Sequence, residues 1–559
     1  MKKMMALILA LILCLSSVSA LALESNINLD STWPVVKEKI PVTIGVVPQN
    51  NGEYDLDNVW TLQYFEEMSN LDITWQHIER ASAPEKIPLM LAGDTMPDAI
   101  LGYSKMNHAA LVQYGVDEGM LYPIDTLLDY MPNFKAMLDA KPAVKASLYA
   151  SDGHFYGLPV MADGSDSYIL RFFINSDWLK NVGKEMPTTL DEFYDVLVAF
   201  RDQDANGNGD PSDEIPVSAA WNEGYSLRAW ILNSLGFCTT GNNTAYYYKE
   251  DGSYEAAYIP YRSEYKEYLT YMNKLWNEGL LDLDMFTQTQ AQVDAKLTDK
   301  RSGFTTVSAP QAVDPTSEFS WEAAKPLTSA LNATPIQPKS APIGNPGYFF
   351  INSNCDEETA AALANFGDAF FTVDLYNILQ VGPEYVEGEA PAMTAEGPQY
   401  MSGYGAFWNE ETKARDWVFD TANYASAWAF RTTVISTWAH PGYNGNGNDE
   451  WIIEWGTKYP ESTQGKFVAN GMKHDTWRIS ANKWQTPYAK FVMPSLFYTA
   501  EDQATANEIA TMMNDYVAGM EAKFITGELS IEADYDNFVK TLEEYGVNGY
   551  MDILNKYVK

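Results

Sequence analysis

The feature that most restricts this chain is its opening alternation of strand-like and helix-like hydrophobic patterns. PVTIGVV at 41–47 is a short β-rich run, closed by the turn-forming PQNNG at 48–52. A helical stretch around Trp60 to Met68 follows, then a second strand-like run, LDITWQHI, at 71–78. Strand, helix, strand is a β-α-β unit, which implies a parallel sheet. The alternation continues in EKIPLMLAGDTMPDAILGY at 85–103, where a short amphipathic helix gives way through Gly93, Asp94 and Pro97 to the apolar strand DAIL. In an open α/β sheet the loop after such a strand lies at the carboxyl edge, where ligands bind, and this singles out Tyr103.

With 559 residues the chain exceeds one ordinary core, so two or more domains are expected. A change of lobe is expected between DGHFYGLPV, from Asp152, and RFFINSDWL, from Arg171. Beyond it, Thr189 and Glu192 fit a capping box, and Leu190, Phe193, Tyr194, Leu197 and Val198 form one apolar helix face. Near the end, Ile509, Met513, Tyr516, Val517, Met520 and Phe524 recur at helical spacing and read as core. There is no internal repeat.

The first residues set the compartment. Lys2 and Lys3 precede an apolar run from Ala6 to Leu15 and then small residues, which reads as a secretory signal peptide over 1–22, too short an apolar run to be a membrane anchor. Cys14 is preceded by Leu13 and lies inside the apolar stretch, so cleavage is favoured over lipidation there. The product is expected outside the cytoplasm, secreted or associated with the cell surface. Cys238 and Cys355 read as buried free thiols, their pairing left open, and the five histidines show no paired zinc-ligand spacing. With 37 basic against 75 acidic residues, a formal charge of −38, the chain should repel nucleic acid.

Five strings in family order resemble one family: EKIPLMLAGDTMPDAI at 85–100, DGHFYGLP at 152–159, INSDWLKNVGKEMPTTLDEF at 174–193, DANGNGDPSDEIP at 204–216 and AKFITGELS at 522–530. Together they resemble the extracellular solute-binding proteins (family 1) of carbohydrate ABC importers, of the maltose-binding and alginate-binding kind. The resemblance implies a type II periplasmic-binding-protein fold: two α/β lobes around a ligand cleft, joined by hinge crossovers. By analogy with that chain path, 40–160 plus 340–385 form the first lobe and 161–339 plus 386–559 the second. It also implies a monomeric, non-enzymatic receptor that closes on an oligosaccharide and reports occupancy to membrane permease subunits.

A sugar cleft wants aromatic platforms for C–H faces and polar side chains for hydroxyls. Three loops carry that mixture: Gln49, Asn50 and Tyr54; Trp221, Asn222, Glu223, Tyr225 and Arg228; and Tyr404 with Trp408. Trp221 follows the strand-like EIPVSA and is expected to stack on a ring, with Asn222 bonding hydroxyls. A secreted hydrolase or lyase would share the leader, the acidity and the aromatics, since its carboxylate pair is guaranteed by composition alone. No GxSxG, HExxH or phosphate-binding GxxxxGK[ST] motif supports that alternative. A surface adhesion module is disfavoured by the β-α alternation and the lack of repeats.

RDQDANGNGDPSDE, at 201–214, reads as a structural calcium loop in either of two registers. One uses Asp202, Asp204 and Asn206, with Gly207 at the sixth place and Asp213 at the twelfth. The other uses Asp204, Asn206 and Asn208, then Asp210, Asp213 and Glu214, with one extra residue before the last acids. An acidic solvated turn has the same composition.

Overall fold

The computed structural model describes residues 26–558 apart from 50–53, 162–171, 222–226, 250, 307–320, 340–342, 389–396, 425, 436–440, 444–448, 472–480, 482, 495 and 497. The chain divides into two compact units, 1–166 with 342–472 and 167–341 with 473–559.

The first unit is built on a six-stranded sheet in the order Gly442–Tyr443, Leu158–Met161, Ile343–Ile351, Ala99–Met106, Pro41–Val47, Asp72–His77. The strand beginning at Pro41 runs parallel to both its neighbours, as the β-α-β opening requires, with Val46 beside His77 on one side and Leu101 on the other. The strand Ile343–Ile351 enters from far along the chain and is antiparallel to both its neighbours. Helix Trp60–Ser69 covers the sheet through Trp60, Leu62, Tyr64 and Phe65, all buried, and helix Glu357–Asp368 buries nine consecutive residues, six of them in the same core.

The block from 386 to 472 belongs to this first unit, not to the second lobe as the family chain path suggested. Burial is the reason. Phe430, Val434, Ile435, Ile452, Trp455 and Phe467 join the first core, Gly442–Tyr443 extends its sheet beside Leu158–Met161, and the Thr61 hydroxyl donates to the Ile435 carbonyl. With the strand Glu384–Val386 that leads into it, the block forms a four-stranded sheet, in the order Tyr400–Ser402, Glu384–Val386, Gly405–Asn409, Ala414–Val418.

The second unit has a four-stranded sheet in the order Trp321–Ala323, Phe172–Asn175, Ser302–Thr306, Ile215–Ser218. Its strand Ile215–Ser218 is parallel to Ser302–Thr306. Helices Leu190–Asp202 and Ser263–Asn277 pack with a C-terminal set, Ala500–Thr526, Ile531–Glu544 and Val547–Tyr557, whose Met513, Val517 and Phe524 are buried. The capping at Thr189 forms with one change: its hydroxyl accepts from Glu192 N at 3.1 Å, while Glu192 reaches back to Thr188, taking N–H at 2.8 Å and O–H at 2.7 Å. Among the described residues no helix is long and apolar enough to cross a membrane.

Candidate functional site

Helix Leu190–Asp202 delivers the chain directly into the acidic glycine loop. Gly207 and Gly209 take positive φ of 75° and 93°, which lets the backbone curl tightly over a few residues. The curl is held by side chains. Asn206 Oδ1 accepts from Asn208 N at 2.9 Å, Asn208 Oδ1 from Asp210 N at 2.7 Å, and Asp204 Oδ2 from Gly209 N at 2.9 Å. The amides of Asn206 and Asn208 donate to the two oxygens of Asp213, each at 3.0 Å. Four side chains from 204 to 213 thus converge on one small volume.

Two oxygens there are left over. Asp204 Oδ1 and Glu214 Oε2 are buried with no hydrogen-bond partner, and burial holds the Glu214 carboxyl above its ordinary range. Buried carboxylate oxygens facing no donor are costly, and a cation is what such a set accepts. Asp210 Oδ1 accepts from the N–H and hydroxyl of Ser212. Asp202 does not join the group. Its two oxygens accept from Arg201 Nε and Nη2 at 2.7 and 3.0 Å. No group of three His, Cys, Asp or Glu side chains poised to hold a metal is found among the described residues.

From this loop the chain enters strand Ile215–Ser218 and then the edge that carries Trp221. The segment after it is tied down at three points: Val217 O accepts from Asp282 N at 2.9 Å, Ala219 O from Gln288 Nε2 at 2.8 Å, and Met285 O from Trp221 N at 2.9 Å. Behind them Lys296 Nζ donates to Asp282, Asp284 and Gln288, and Ser218 to Asp282. The Trp221 ring is only half-buried and leans on Phe286, with centroids 4.9 Å apart. A fixed backbone and a partly open ring suit a stacking platform. Asn222, Glu223 and Tyr225 lie outside the described residues.

Arg228 is a correction. It is 6% exposed, with Nε on Glu521 at 2.8 Å, Nη1 on the Gly241 carbonyl and Nη2 on Asn243, each at 2.6 Å. It is a core cation with no donor directed to a ligand.

In the first unit the parallel strands bring Gln49 and Tyr103 together through a residue that the sequence reading missed. Arg80 lays its guanidinium over the Tyr103 ring at 4.4 Å and donates to the Gln49 carbonyl, while Tyr348 meets Tyr103 edge-on at 5.1 Å. Burial raises the Tyr103 hydroxyl's pKa. Gln49 Oε1 is buried without a partner. Arg80 follows the strand Asp72–His77 as Gln49 follows Pro41–Val47, so the carboxyl-edge rule was the signal that would have found it. Tyr54 stacks obliquely near His77 at 5.6 Å, and Asn50 lies outside the described residues. Tyr404 and Trp408 stand apart from this group, on the added sheet, where Tyr404 is 5.8 Å from Phe430 and Trp408 faces Arg415 across the strand pair.

Comparison with known proteins bears on the whole chain. No family model matches it. It is 26% identical over 512 residues, 89% of this chain and 86% of the relative, to the fructooligosaccharide ABC transporter substrate-binding protein FusA of Streptococcus pneumoniae serotype 4. Its homologues are ABC-transporter substrate-binding proteins. They are binding proteins, not enzymes. The solved structure of an EF-hand mutant of S. pneumoniae FusA with fructo-nystose aligns at TM-score 0.61 and 22% identity, over 92% of this chain and 98% of that one. A human-milk-oligosaccharide (HMO) binding solute-binding protein from Bifidobacterium longum infantis aligns at 0.65 and 19%, over 93% and 98%. The fold is that of the ABC-transporter solute-binding proteins.

Proposed function

We propose that this chain is the extracytoplasmic receptor of an ABC importer, a monomer that captures an oligosaccharide and presents it to membrane permease subunits. The observation that carries the reading is likeness to one transporter substrate-binding protein along nearly the whole of both chains. The half-open ring of Trp221, on a backbone tied to Met285 and Gln288, is a platform on which a sugar face would stack, and within the first unit Gln49, Tyr54 and Tyr103 are polar and aromatic groups of the kind that contact sugars.

The loop at 204–214 would hold one calcium ion through Asp204, Asn206, Asn208, Asp210, Asp213 and Glu214. The orphaned oxygens of Asp204 and Glu214 support this register, and the ion's contribution would be charge neutralisation where helix Leu190–Asp202 meets strand Ile215–Ser218. The strong negative charge makes nucleic acid an unsuitable partner.

The test is a thermal-shift screen of purified protein against neutral and acidic oligosaccharides, followed by calorimetry and product analysis of any hit. Saturable binding without cleavage is expected. Cleavage beyond the blank that one carboxylate substitution abolishes would replace the receptor with an enzyme.

A further inference from the structure

Arg431 is a cation without an anion. Its Nη2 donates to the Gln380 carbonyl at 2.5 Å, its Nε is buried with no hydrogen-bond partner, and no carboxylate among the described residues pairs with it. The guanidinium lies over the Trp417 ring, 4.6 Å from its centroid. Burial, and then the like charge of Arg415, pull its pKa from the ordinary arginine value down to about 9. Gln380, whose carbonyl Arg431 holds, is fully buried, and both polar atoms of its side-chain amide lack partners. Native structures leave few buried polar atoms unmet, and an unpaired buried charge costs more than an unpaired amide, so the two unmet donors, Arg431 Nε and Gln380 Nε2, call for an acceptor, while Gln380 Oε1 is itself an unmet acceptor.

The surroundings define its chemistry. Arg415 and Trp417 alternate along strand Ala414–Val418 and therefore share a face, and Trp408 stands opposite Arg415 on the neighbouring strand. Two guanidinium groups and two half-buried indoles make a surface that is positive and flat in a strongly acidic protein. Arg415 already donates to Gln464 at 2.8 Å, which leaves Arg431 as the group with unused hydrogen-bonding capacity. Arg431 keeps partial exposure as a residue, although its Nε is buried. A planar oxyanion suits a guanidinium fork better than it suits an ammonium, because two parallel N–H groups meet two oxygens.

We propose that Arg431, with Trp417 beneath it and Arg415 beside it, forms an anion subsite within the first unit that takes a carboxylate or similar oxyanion. The subsite stands independently of the oligosaccharide reading. The carboxylate can come from a uronic-acid residue of a saccharide or from a free small anion.

Calorimetry and thermal shift on the full chain distinguish these sources, using acetate, sulfate, free galacturonate, a digalacturonide and a neutral dihexose as probes. Wild type is expected to bind at least one anionic probe saturably. Arg431→Gln should weaken that binding more than tenfold, Arg431→Lys should weaken it less, and any neutral-sugar binding should be unchanged. A digalacturonide bound tenfold or more tighter than acetate and sulfate assigns the source as a saccharide; equal responses assign it as a free anion. The proposal is overturned if wild type shows no saturable anion response, or if that response survives in both Arg431 variants. It is also overturned if Glu389→Gln or Glu396→Gln, acids outside the described residues, lowers the melting temperature of wild type but not of Arg431→Gln, since the chain would then supply its own counter-ion. Binding of neutral sugars alone would keep the receptor reading and remove this one.

Discussion

Arg228 and Arg431 are the same residue type placed in two cores with opposite outcomes. Arg228 spends all three guanidinium nitrogens on Glu521, Gly241 and Asn243, and Glu521 is further held by the Tyr268 hydroxyl at 2.7 Å. Burial opposes its charge, but Glu521, Tyr265 and Tyr268 together outweigh burial and its pKa rises. Arg431 has one carbonyl, an aromatic face and a second arginine nearby, and its pKa falls. A buried charge with its partners supplied by the chain is architecture. One whose partners are missing is available for an incoming group.

The largest effect expected from this contrast is at Glu521. Glu521→Ala strands Arg228 in the core and should lower unfolding stability by about 3 to 5 kcal/mol, whereas Arg431→Gln should cost less than about 1 kcal/mol because no ion pair is broken. Arg228→Met combined with Glu521→Leu should recover most of the loss, since it removes both charges. Equal losses at Glu521 and Arg431 in denaturant titrations would erase the distinction.

A buried anion in the same unit as Arg431 extends the comparison. Asp368 is 2% exposed and meets only N–H donors, from Phe134 N at 2.6 Å and from Asn133 N and Nδ2 at 3.2 and 2.7 Å. Burial outweighs these donors and pushes its carboxyl from 3.8 up to about 6. A carboxyl raised on folding contributes stability that is complete below the unfolded value near 4 and lost as pH climbs through the folded one. The stability of wild type relative to Asp368→Asn should therefore fall between pH 4 and pH 7, by up to about 3 kcal/mol. A pH-independent difference would show that the donors compensate its charge.

Next in size is the ion at 204–214. Calcium at 100 times its dissociation constant should stabilise wild type and Asp202→Ala by about 2.7 kcal/mol, and Asp204→Ala by almost nothing. A melting curve unmoved by calcium or chelator, with no calcium by elemental analysis, would remove the ion. Loss of the response in Asp202→Ala would restore the other register.

The smallest stability change concerns Trp221, whose ring is half-open while its backbone is fixed. Trp221→Ala should cost less than the roughly 3 to 5 kcal/mol of a core tryptophan while weakening ligand binding at least tenfold. A large drop in melting temperature with unchanged affinity would make it a packing residue.

What the sequence made legible was local. The run PVTIGVV, the Thr189 cap and the glycine loop announce themselves within a dozen residues, since strand period, capping and positive φ are properties of short segments. Arg228 was misread because LRAWILN has all seven residues buried and the acid that neutralises its one charge stands 293 positions away. The allegiance of 386–472 was hidden for the same reason, as it depends on Phe430, Ile435 and Trp455 meeting a core begun at Ile27. Arg80 lay within reach of a rule already applied to Tyr103. Arg431 did not, because only the absence of a partner distinguishes it from any other arginine.

The strand Ile343–Ile351 has a consequence for when this chain can fold. It lies between Leu158–Met161 and Ala99–Met106, so the first sheet is split until a segment from the far side of the second unit arrives. The second unit waits in turn for helix Ala500–Thr526, which supplies the acid for Arg228. Neither core can close on a half-made polypeptide, and such long-range closure is slow. The first unit has all its segments only once residue 472 is made, and the second only with the C-terminal helices, so each core closes late.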